Sequence, residues 1–269
     1  MKIRAGYEIA YDCAQPTPML LMLSLHPSRQ PDLLTPHRIS FDPPIHAKDF
    51  VDSFGNTGTR VVAPAGRITI SADFTVRDAG TPDVVAPDAK QLPVEDLPDD
   101  VMVYLLGSRY CDTDRLSDTA WALFGNGPRG WGRVQAICDY VHDRVTFGYQ
   151  HARSTRTAFE GHTERLGVCR DFAHLAITLC RCMNIPARYC TGYLGDIGVP
   201  LDPNPMDFSA WFEAYLDGSW YTFDARHNTP RIGRILMARG RDATDCALST
   251  SFGASSLAVF KVVTDEVKD

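Results

Sequence analysis

The sequence predicts an α+β fold in which an antiparallel β domain precedes a domain of helices and a second antiparallel sheet. Two segments, residues 1–12 and 67–77, alternate apolar and polar side chains with the period of a half-buried strand. No helical period occurs before residue 95, whereas several windows after it have one. Strands first and helices later are typical of the α+β class.

The first 80 residues contain several candidate strands separated by Pro and Gly. In residues 1–12, one face of the predicted strand carries Met1, Ile3, Ala5, Tyr7, Ile9 and Tyr11. Shorter candidate strands lie near residues 19–25, 38–41, 49–54 and 59–63. We therefore assign residues 1–80 to an N-terminal antiparallel β domain.

A segment rich in proline and acidic residues separates this domain from the rest. Residues 78–100 contain Pro82, Pro87, Pro93 and Pro98, seven acidic residues and a single lysine. This composition is typical of an extended linker. We assign residues 81–97 to the linker and residues 98–269 to the second domain.

The second domain is predicted to begin with helices and to continue with strands. Pro98 can occupy the first turn of a helix that ends before Gly107. Further helices are predicted at 117–124, 130–146, 157–165 and 169–183, and strands at 187–194, 208–216 and 219–224. The helix at 169–183 is apolar nearly all round, so we expect it to be central and buried. Asp217 and Gly218 form a two-residue hairpin turn between the last two strands.

Composition excludes some classes of function. The 269 residues include 27 Lys and Arg against 33 Asp and Glu, a net charge of -6, which disfavours general binding to nucleic acids or anionic membranes. The start of the chain does not resemble a secretory signal, and the apolar stretch Met19 to Leu25 is far shorter than the ~20 residues of a membrane span. A cytoplasmic location is therefore expected.

The eight cysteines are expected to be free thiols in a reducing compartment. No CxxC pair occurs, and the spacing of Cys180 and Cys182 is poor for zinc. No EF-hand loop, P-loop or dinucleotide fingerprint is found, so we expect neither a metal nor a cofactor.

Cys169 is the cysteine best placed for chemistry. It follows Gly167 and Val168 at the start of the buried helix, where the helix N-terminus favours a thiolate. The free backbone amides of such a terminus can also hold a developing oxyanion. A structural cysteine at a helix start remains the alternative.

The hairpin supplies a candidate carboxylate partner for this cysteine. Alternation along its strands places Ser209, Trp211, Glu213, Thr222 and Asp224 on one face. Asp224 is thus a carboxylate beside Trp211 on a mostly apolar hairpin, where a paired surface aspartate is the alternative reading.

Several blocks together resemble the transglutaminase-like core. They are Gly167–Asp171, Asn184–Arg188 with Gly192 and Tyr193, Ser209–Tyr215 and Asp217–Asp224, in the family's order and separation. The resemblance spans about residues 130–226. It implies a papain-like fold, with a nucleophile helix packed on an antiparallel sheet, and a Cys-His-Asp triad. Cys169 matches the nucleophile and Asp224 the third member, and the β-rich N-terminal part resembles an extra domain of bacterial members.

The family's histidine position is occupied by Ser209, and a serine hydroxyl cannot act as a general base at neutral pH. Among other histidines, we rank His227 first as a replacement. Strict alternation points His227 to the wrong face, but a bulge or an early strand end could return it. The remaining candidates, each more simply read as structural, are His142, His151, His162 and His174.

We therefore expect a cofactor-free cysteine hydrolase, a peptidase or amidase acting on peptide or protein amides, with candidate catalytic residues Cys169, Asp224, Ser209 and His227. Trp211 is a candidate substrate-binding residue on the same predicted face. A non-catalytic module that binds a peptide or partner is the alternative favoured by Ser209, and a redox or metal-handling thiol protein is a third. The sequence leaves the oligomeric state open. Five arginines follow Asp224, and two roles are open for them, namely binding of an acidic ligand or pairing within the chain. They are Arg226, Arg231, Arg234, Arg239 and Arg241.

Overall fold

The computed structural model describes residues 1–268. Its strands are β1 (Lys2–Cys13), β2 (Thr17–Leu21), β3 (Ser40–Asp42), β4 (Ala47–Val51), β5 (Thr57–Ala63), β6 (Gly66–Arg77), β7 (Thr146–Phe147), β8 (Leu166–Gly167), β9 (Ala187–Tyr193), β10 (Ser209–Leu216), β11 (Ser219–Phe223), β12 (Ile235–Gly240), β13 (Ser249–Ser251) and β14 (Ser255–Val267). Its α-helices are α1 (Thr113–Phe124), α2 (Trp131–Arg144), α3 (Ala158–Glu164) and α4 (Cys169–Cys182). Short 3-10 helices lie at Pro27–Asp32, Val94–Asp96, Asp99–Leu105 and Tyr149–His151.

The N-terminal part is built from two antiparallel sheets. One has the strand order β14-β1-β6-β3 and the other β13-β2-β5-β4. Alternation along β1 and β6 buries Ile3, Ile70 and Phe74, and these join Met19 and Leu21 of β2 in one apolar core. The predicted α+β class with an N-terminal antiparallel β part is confirmed.

The C-terminal strand belongs to this N-terminal sheet. β14 pairs with β1 in antiparallel register from Lys2–Val267 to Cys13–Ser255. The predicted division placed residues 255–267 with the second domain, whereas the pairing places them beside the first strand. β12, which was not predicted, forms an edge of the second sheet.

The second part packs helices against the sheet β11-β10-β9-β12. Residues Cys169–Cys182 form α4, close to the predicted 169–183, and Leu175, Ile177 and Leu179 within it are fully buried. The sheet presents Ala210, Phe212 and Ala214 of β10 to the same core. α4 is therefore enclosed by the other helices on one side and the sheet on the other.

The linker leads into a 3-10 helix, which is wound more tightly than the predicted helix. The segment predicted as a helix from Pro98 to Leu106 is the 3-10 helix Asp99–Leu105. Leu97 and Val101 pack against Tyr215 at the end of β10. Within residues 1–268, no helix has both the length and the apolar character needed to cross a bilayer.

The β10–β11 hairpin has the predicted turn, with Leu216 opposite Ser219. Both turn residues have positive φ, 50° at Asp217 and 81° at Gly218. A Cβ added at Gly218 would meet nothing within 4 Å, so a substitution there tests the backbone alone.

We expect Gly218→Ala to lower the free energy of unfolding by about 1–2 kcal/mol because L-residues disfavour this region. The matched control is Gly127→Ala, where the nearest contact of an added Cβ is an ordinary 3.5 Å. Urea unfolding of both variants checks the prediction, and an equal effect at the two sites would contradict it.

Candidate active site

Cys169 begins α4 and is partly exposed, while the other cysteines of the chain are buried. The helix start is capped by Asp171, whose Oδ2 accepts a hydrogen bond from the Val168 backbone amide at 2.9 Å. Gly167 permits this cap, because a Cβ there would lie 2.7 Å from the Asp171 Cβ. The local sequence therefore fixes the position of the thiol at the helix N-terminus.

A buried ion pair holds this cap in place. Arg156 Nη1 lies 3.1 Å from Asp171 Oδ2, with side-chain exposures of 6% and 1%. Arg156 Nε also contacts Glu164 Oε2 at 3.0 Å and so ties the end of α3 to the start of α4. Asp171 stands at the capping position three residues after Val168, a signal that the sequence analysis did not use.

The surroundings of Cys169 favour the neutral thiol. Burial raises the pKa of Cys169 to about 11, and the carboxylates of Asp207 and Asp224 raise it further, while Arg226 and the Ala210 backbone amide lower it. These effects together favour the protonated sulfur at neutral pH in the resting protein. A nucleophilic role requires a base that removes this proton.

Asp224 and His227 form a hydrogen-bonded pair. β11 ends at Phe223, and Asp224 Oδ1 then accepts bonds from the backbone amides of Arg226 at 3.0 Å and His227 at 3.1 Å. This turn brings the His227 ring back, so that Nδ1 lies 2.8 Å from Asp224 Oδ2. The early strand end that the sequence analysis considered therefore occurs.

Arg234 keeps Asp224 ionised. Burial alone would raise the pKa of this carboxyl, but the Arg234 guanidinium, with Nη2 at 2.9 Å, and the contacts from His227 hold the pKa well below its usual range. An ionised carboxylate can only accept hydrogen bonds, so His227 Nδ1 is the donor. His227 Nε2 is then the nitrogen that can accept a proton.

Helix α2 anchors the turn that carries His227. His142 Nδ1 lies 2.9 Å from the Arg226 carbonyl oxygen, to which it donates. Asn228 Nδ2 donates to Asp139 Oδ1 at 2.8 Å, and Gln135 Nε2 reaches the Asn228 Oδ1 at 2.9 Å. His142 is therefore a positioning residue for the turn, not a member of the Asp224 pair.

A cavity of about 160 Å³ lies beside His227 and is also lined by Tyr149, Asp207, Ser209 and Arg226. Its outer wall is the loop between β9 and β10. Asp207, Arg226 and Asp224 all act on the pKa of Cys169, which places the thiol in the same electrostatic environment. Ser209 and His227 therefore line one cavity, Asp224 is bonded to His227, and Cys169 lies near enough to Asp224 for that charge to act on the thiol.

Ser209 is buried, and its Oγ has no hydrogen-bond partner among the described residues. We expect Ser209→Ala to change the free energy of unfolding by less than about 1 kcal/mol, because no bond is lost. The matched control is Thr191→Val, which removes a 3.1 Å hydrogen bond from Thr191 Oγ1 to the Ser209 carbonyl oxygen. In urea unfolding, a larger loss of unfolding free energy for Ser209→Ala than for Thr191→Val would contradict the statement that the Ser209 hydroxyl makes no hydrogen bond.

Trp211 lies away from the His227 cavity. It is almost fully buried, and the Arg234 guanidinium carbon lies 5.0 Å from its ring centre. It lines a separate groove on the outer face of the sheet. Its predicted role in substrate binding stays a prediction.

The other candidate histidines, His151, His162 and His174, have partners of their own. His162 Nε2 is hydrogen-bonded to the Tyr140 hydroxyl at 2.8 Å, and His174 is stacked on Tyr110 at a ring distance of 5.0 Å. His151 contacts the neighbouring Gln150 side chain at 3.3 Å. Among residues 1–268, no group of histidine, cysteine and acidic side chains has the arrangement of a metal site.

A helix that begins at the candidate nucleophile Cys169 and packs on an antiparallel sheet, with an Asp-His pair at the end of a strand of that sheet, defines the class of papain-like folds. Residues 122–225 match the profile of the transglutaminase-like superfamily. The crystal structure of a candidate cysteine protease from Cytophaga hutchinsonii matches this structure with a TM-score of 0.86. The two sequences are 33% identical, and the match covers 100% of this chain and 91% of that chain. The chain belongs to the transglutaminase-like superfamily.

A relative in Mycobacterium leprae, an uncharacterized protein, is 33% identical over 108 residues. The matched segment covers 36% of this chain and 37% of the Mycobacterium protein. The chain therefore matches little more than a third of that relative.

Proposed function

We propose that the protein is a cysteine hydrolase that cleaves peptide or protein amide bonds through a thioester on Cys169. The observation that carries the proposal is the 2.8 Å contact between His227 Nδ1 and Asp224 Oδ2, which leaves Nε2 as the proton acceptor. The likeness to the Cytophaga structure, which bears the description of a candidate cysteine protease, supports the choice of hydrolysis.

In the proposed reaction, His227 Nε2 takes the thiol proton as Cys169 Sγ attacks the amide carbonyl carbon. The backbone amides at the first turn of α4 stabilise the negative oxygen of the tetrahedral intermediate. The C–N bond then breaks, and His227 returns the proton to the leaving amine. Water, deprotonated by His227, hydrolyses the thioester and restores the thiol.

The acyl-enzyme gives the direct test. The protein is incubated with a mixture of synthetic peptides and quenched in acid, and its intact mass and tryptic peptides are measured. We expect adducts on Cys169 that hydroxylamine removes, together with new peptide termini. Both should be absent in Cys169→Ala and present in Cys182→Ala, a control at the other end of α4. New termini that persist in Cys169→Ala would overturn the proposal.

A second candidate is a peptide-binding module that has lost catalysis. Two observations favour it, namely Ser209 at the family's histidine position and the raised pKa of Cys169. This candidate predicts that peptides bind without adducts or new termini. The same experiment, with bound peptide measured by equilibrium dialysis, separates the two functions.

A further inference from the structure

A groove of about 460 Å³ lies on the outer face of the β9–β12 sheet, which is the face turned away from α4. Trp211 and Trp220 line it from the sheet, and residues between Asp78 and Val84, where the β domain passes into the linker, line it from the side. Arg29, from the 3-10 helix Pro27–Asp32 of the β domain, completes it. The groove therefore lies where the two parts of the chain meet, a common place for ligand sites.

Four arginines line this groove, namely Arg29, Arg231, Arg234 and Arg239. The side chains of Arg231 and Arg234 are only 5% and 8% exposed. Arg231 Nε and Arg234 Nη1 are nevertheless buried without a hydrogen-bond partner among residues 1–268. Buried donors without an acceptor are costly, and they indicate an acceptor that the groove is built to receive.

The charge in the groove fits one carboxylate. Arg234 is paired with Asp83 at 2.9 Å, and Arg29 lies 3.5 Å from Asp78. The third lining carboxylate, Glu213, is held by Arg188 at 2.6 Å. Arg231 Nη2 lies 3.7 Å from Asp196 Oδ1, so among the described residues Arg239 is the lining arginine that has no ion pair with a carboxylate. The neighbouring carboxylates would repel a dianion more strongly than a monoanion.

The two indoles are held in place by cations. The Arg234 and Arg188 guanidinium carbons lie 5.0 Å and 4.0 Å from the ring centres of Trp211 and Trp220. An aromatic floor with arginines at its rim suits a flexible apolar stem that ends in a carboxylate. The side chain of glutamate and the C-terminus of a peptide both have this form.

We propose that this groove binds a carboxylate of a peptide, carried by an acidic side chain or by the C-terminus. The ligand contacts the face of the sheet turned away from α4, whereas Cys169 lies at the start of α4. The two sites adjoin, because Arg231 lines both this groove and the His227 cavity and Arg234 is bonded to Asp224. Binding is therefore expected in Cys169→Ala as well as in the unchanged protein. Loss of peptide hydrolysis and loss of carboxylate binding are thus distinguishable.

The test uses the indole N–H signals of the four tryptophans in the NMR spectrum of the full chain. The probes are acetyl-Gly-Glu-Gly-amide, its Gln analogue, acetyl-Gly-Gly-Gly with a free C-terminus, and inorganic phosphate. We expect saturable shifts of Trp211 and Trp220, but not of Trp121 on α1, with at least one carboxylate probe. The first and third probes distinguish the acidic side chain from the C-terminus.

Arg239→Gln should weaken this binding about tenfold, because a charge-assisted hydrogen bond is lost. The matched control is Arg67→Gln, since Arg67 is an exposed arginine paired with Asp12 in the β domain. The proposal is overturned if neither carboxylate probe binds, if the Gln analogue binds equally well, or if phosphate alone binds. An unchanged affinity in Arg239→Gln would also overturn it.

Discussion

Replacing His227 with Gln should lower the rate of peptide hydrolysis by about 10²–10⁴-fold, the usual contribution of a general base. The Gln amide can still donate to Asp224. The backbone amides at positions 226 and 227 also still donate to Asp224 and cap the turn. The loss is then attributable to the missing proton acceptor. Because the pKa of Cys169 is raised to about 11, the thiol cannot supply its own thiolate at neutral pH.

Two measurements separate this role from a structural one. The change should appear in kcat, with KM nearly unchanged, and the urea midpoint should stay close to that of the unchanged protein. The matched control is His162→Gln, since His162 is hydrogen-bonded to Tyr140 and does not line the His227 cavity. A normal rate in His227→Gln would place the base elsewhere and remove the proposed mechanism.

The sequence was most informative about segments whose pattern is local. α4 is apolar on nearly all sides, and its start and stop signals lie within a few residues of its ends. The predicted hairpin turn at Asp217 and Gly218 sets the register of β10 and β11, in which Leu216 lies opposite Ser219. Such features depend on neighbours in the chain and so can be read from one sequence.

Long-range pairing was not predicted. β14 is largely exposed, so its apolar residues do not alternate with polar ones, and its partner β1 lies at the other end of the chain. β12 was not predicted because its apolar segment Ile235–Met237 is short and follows a stretch rich in arginine. The pairing of either strand depends on contacts that local periodicity does not contain.

The candidate site was predictable in part for the same reason. The motif identified Cys169 and Asp224 as candidates, but the orientation of His227 depended on where β11 ends. The Asp224 side chain caps the turn and ends the alternation, which an ideal strand would have continued. Arg156 was assigned no role and Arg234 was left with two open ones, because their carboxylate partners are known only once the chain has folded.

Arg156 should contribute strongly to stability through the start of α4, the helix that carries Cys169. Its side chain and that of Asp171 are almost fully buried, and they meet at 3.1 Å. Removing one partner of a buried ion pair leaves an uncompensated charge and typically costs about 3–5 kcal/mol. Arg170, 3.5 Å from Asp171 Oδ1, offsets part of this charge, so we expect Arg156→Met to lose about 3 kcal/mol, the lower end of that range.

The matched control is Arg153→Met. Arg153 also pairs with carboxylates of α3, Glu160 at 2.7 Å and Glu164 at 2.9 Å, but its side chain is 40% exposed. Exposed ion pairs contribute at most about 1 kcal/mol, so urea unfolding should separate the two variants clearly. Adding Asp171→Asn to Arg156→Met should recover part of the loss, because the buried charge is then gone. Equal losses in the two single variants would mean that the cap of α4 does not depend on the Arg156 charge.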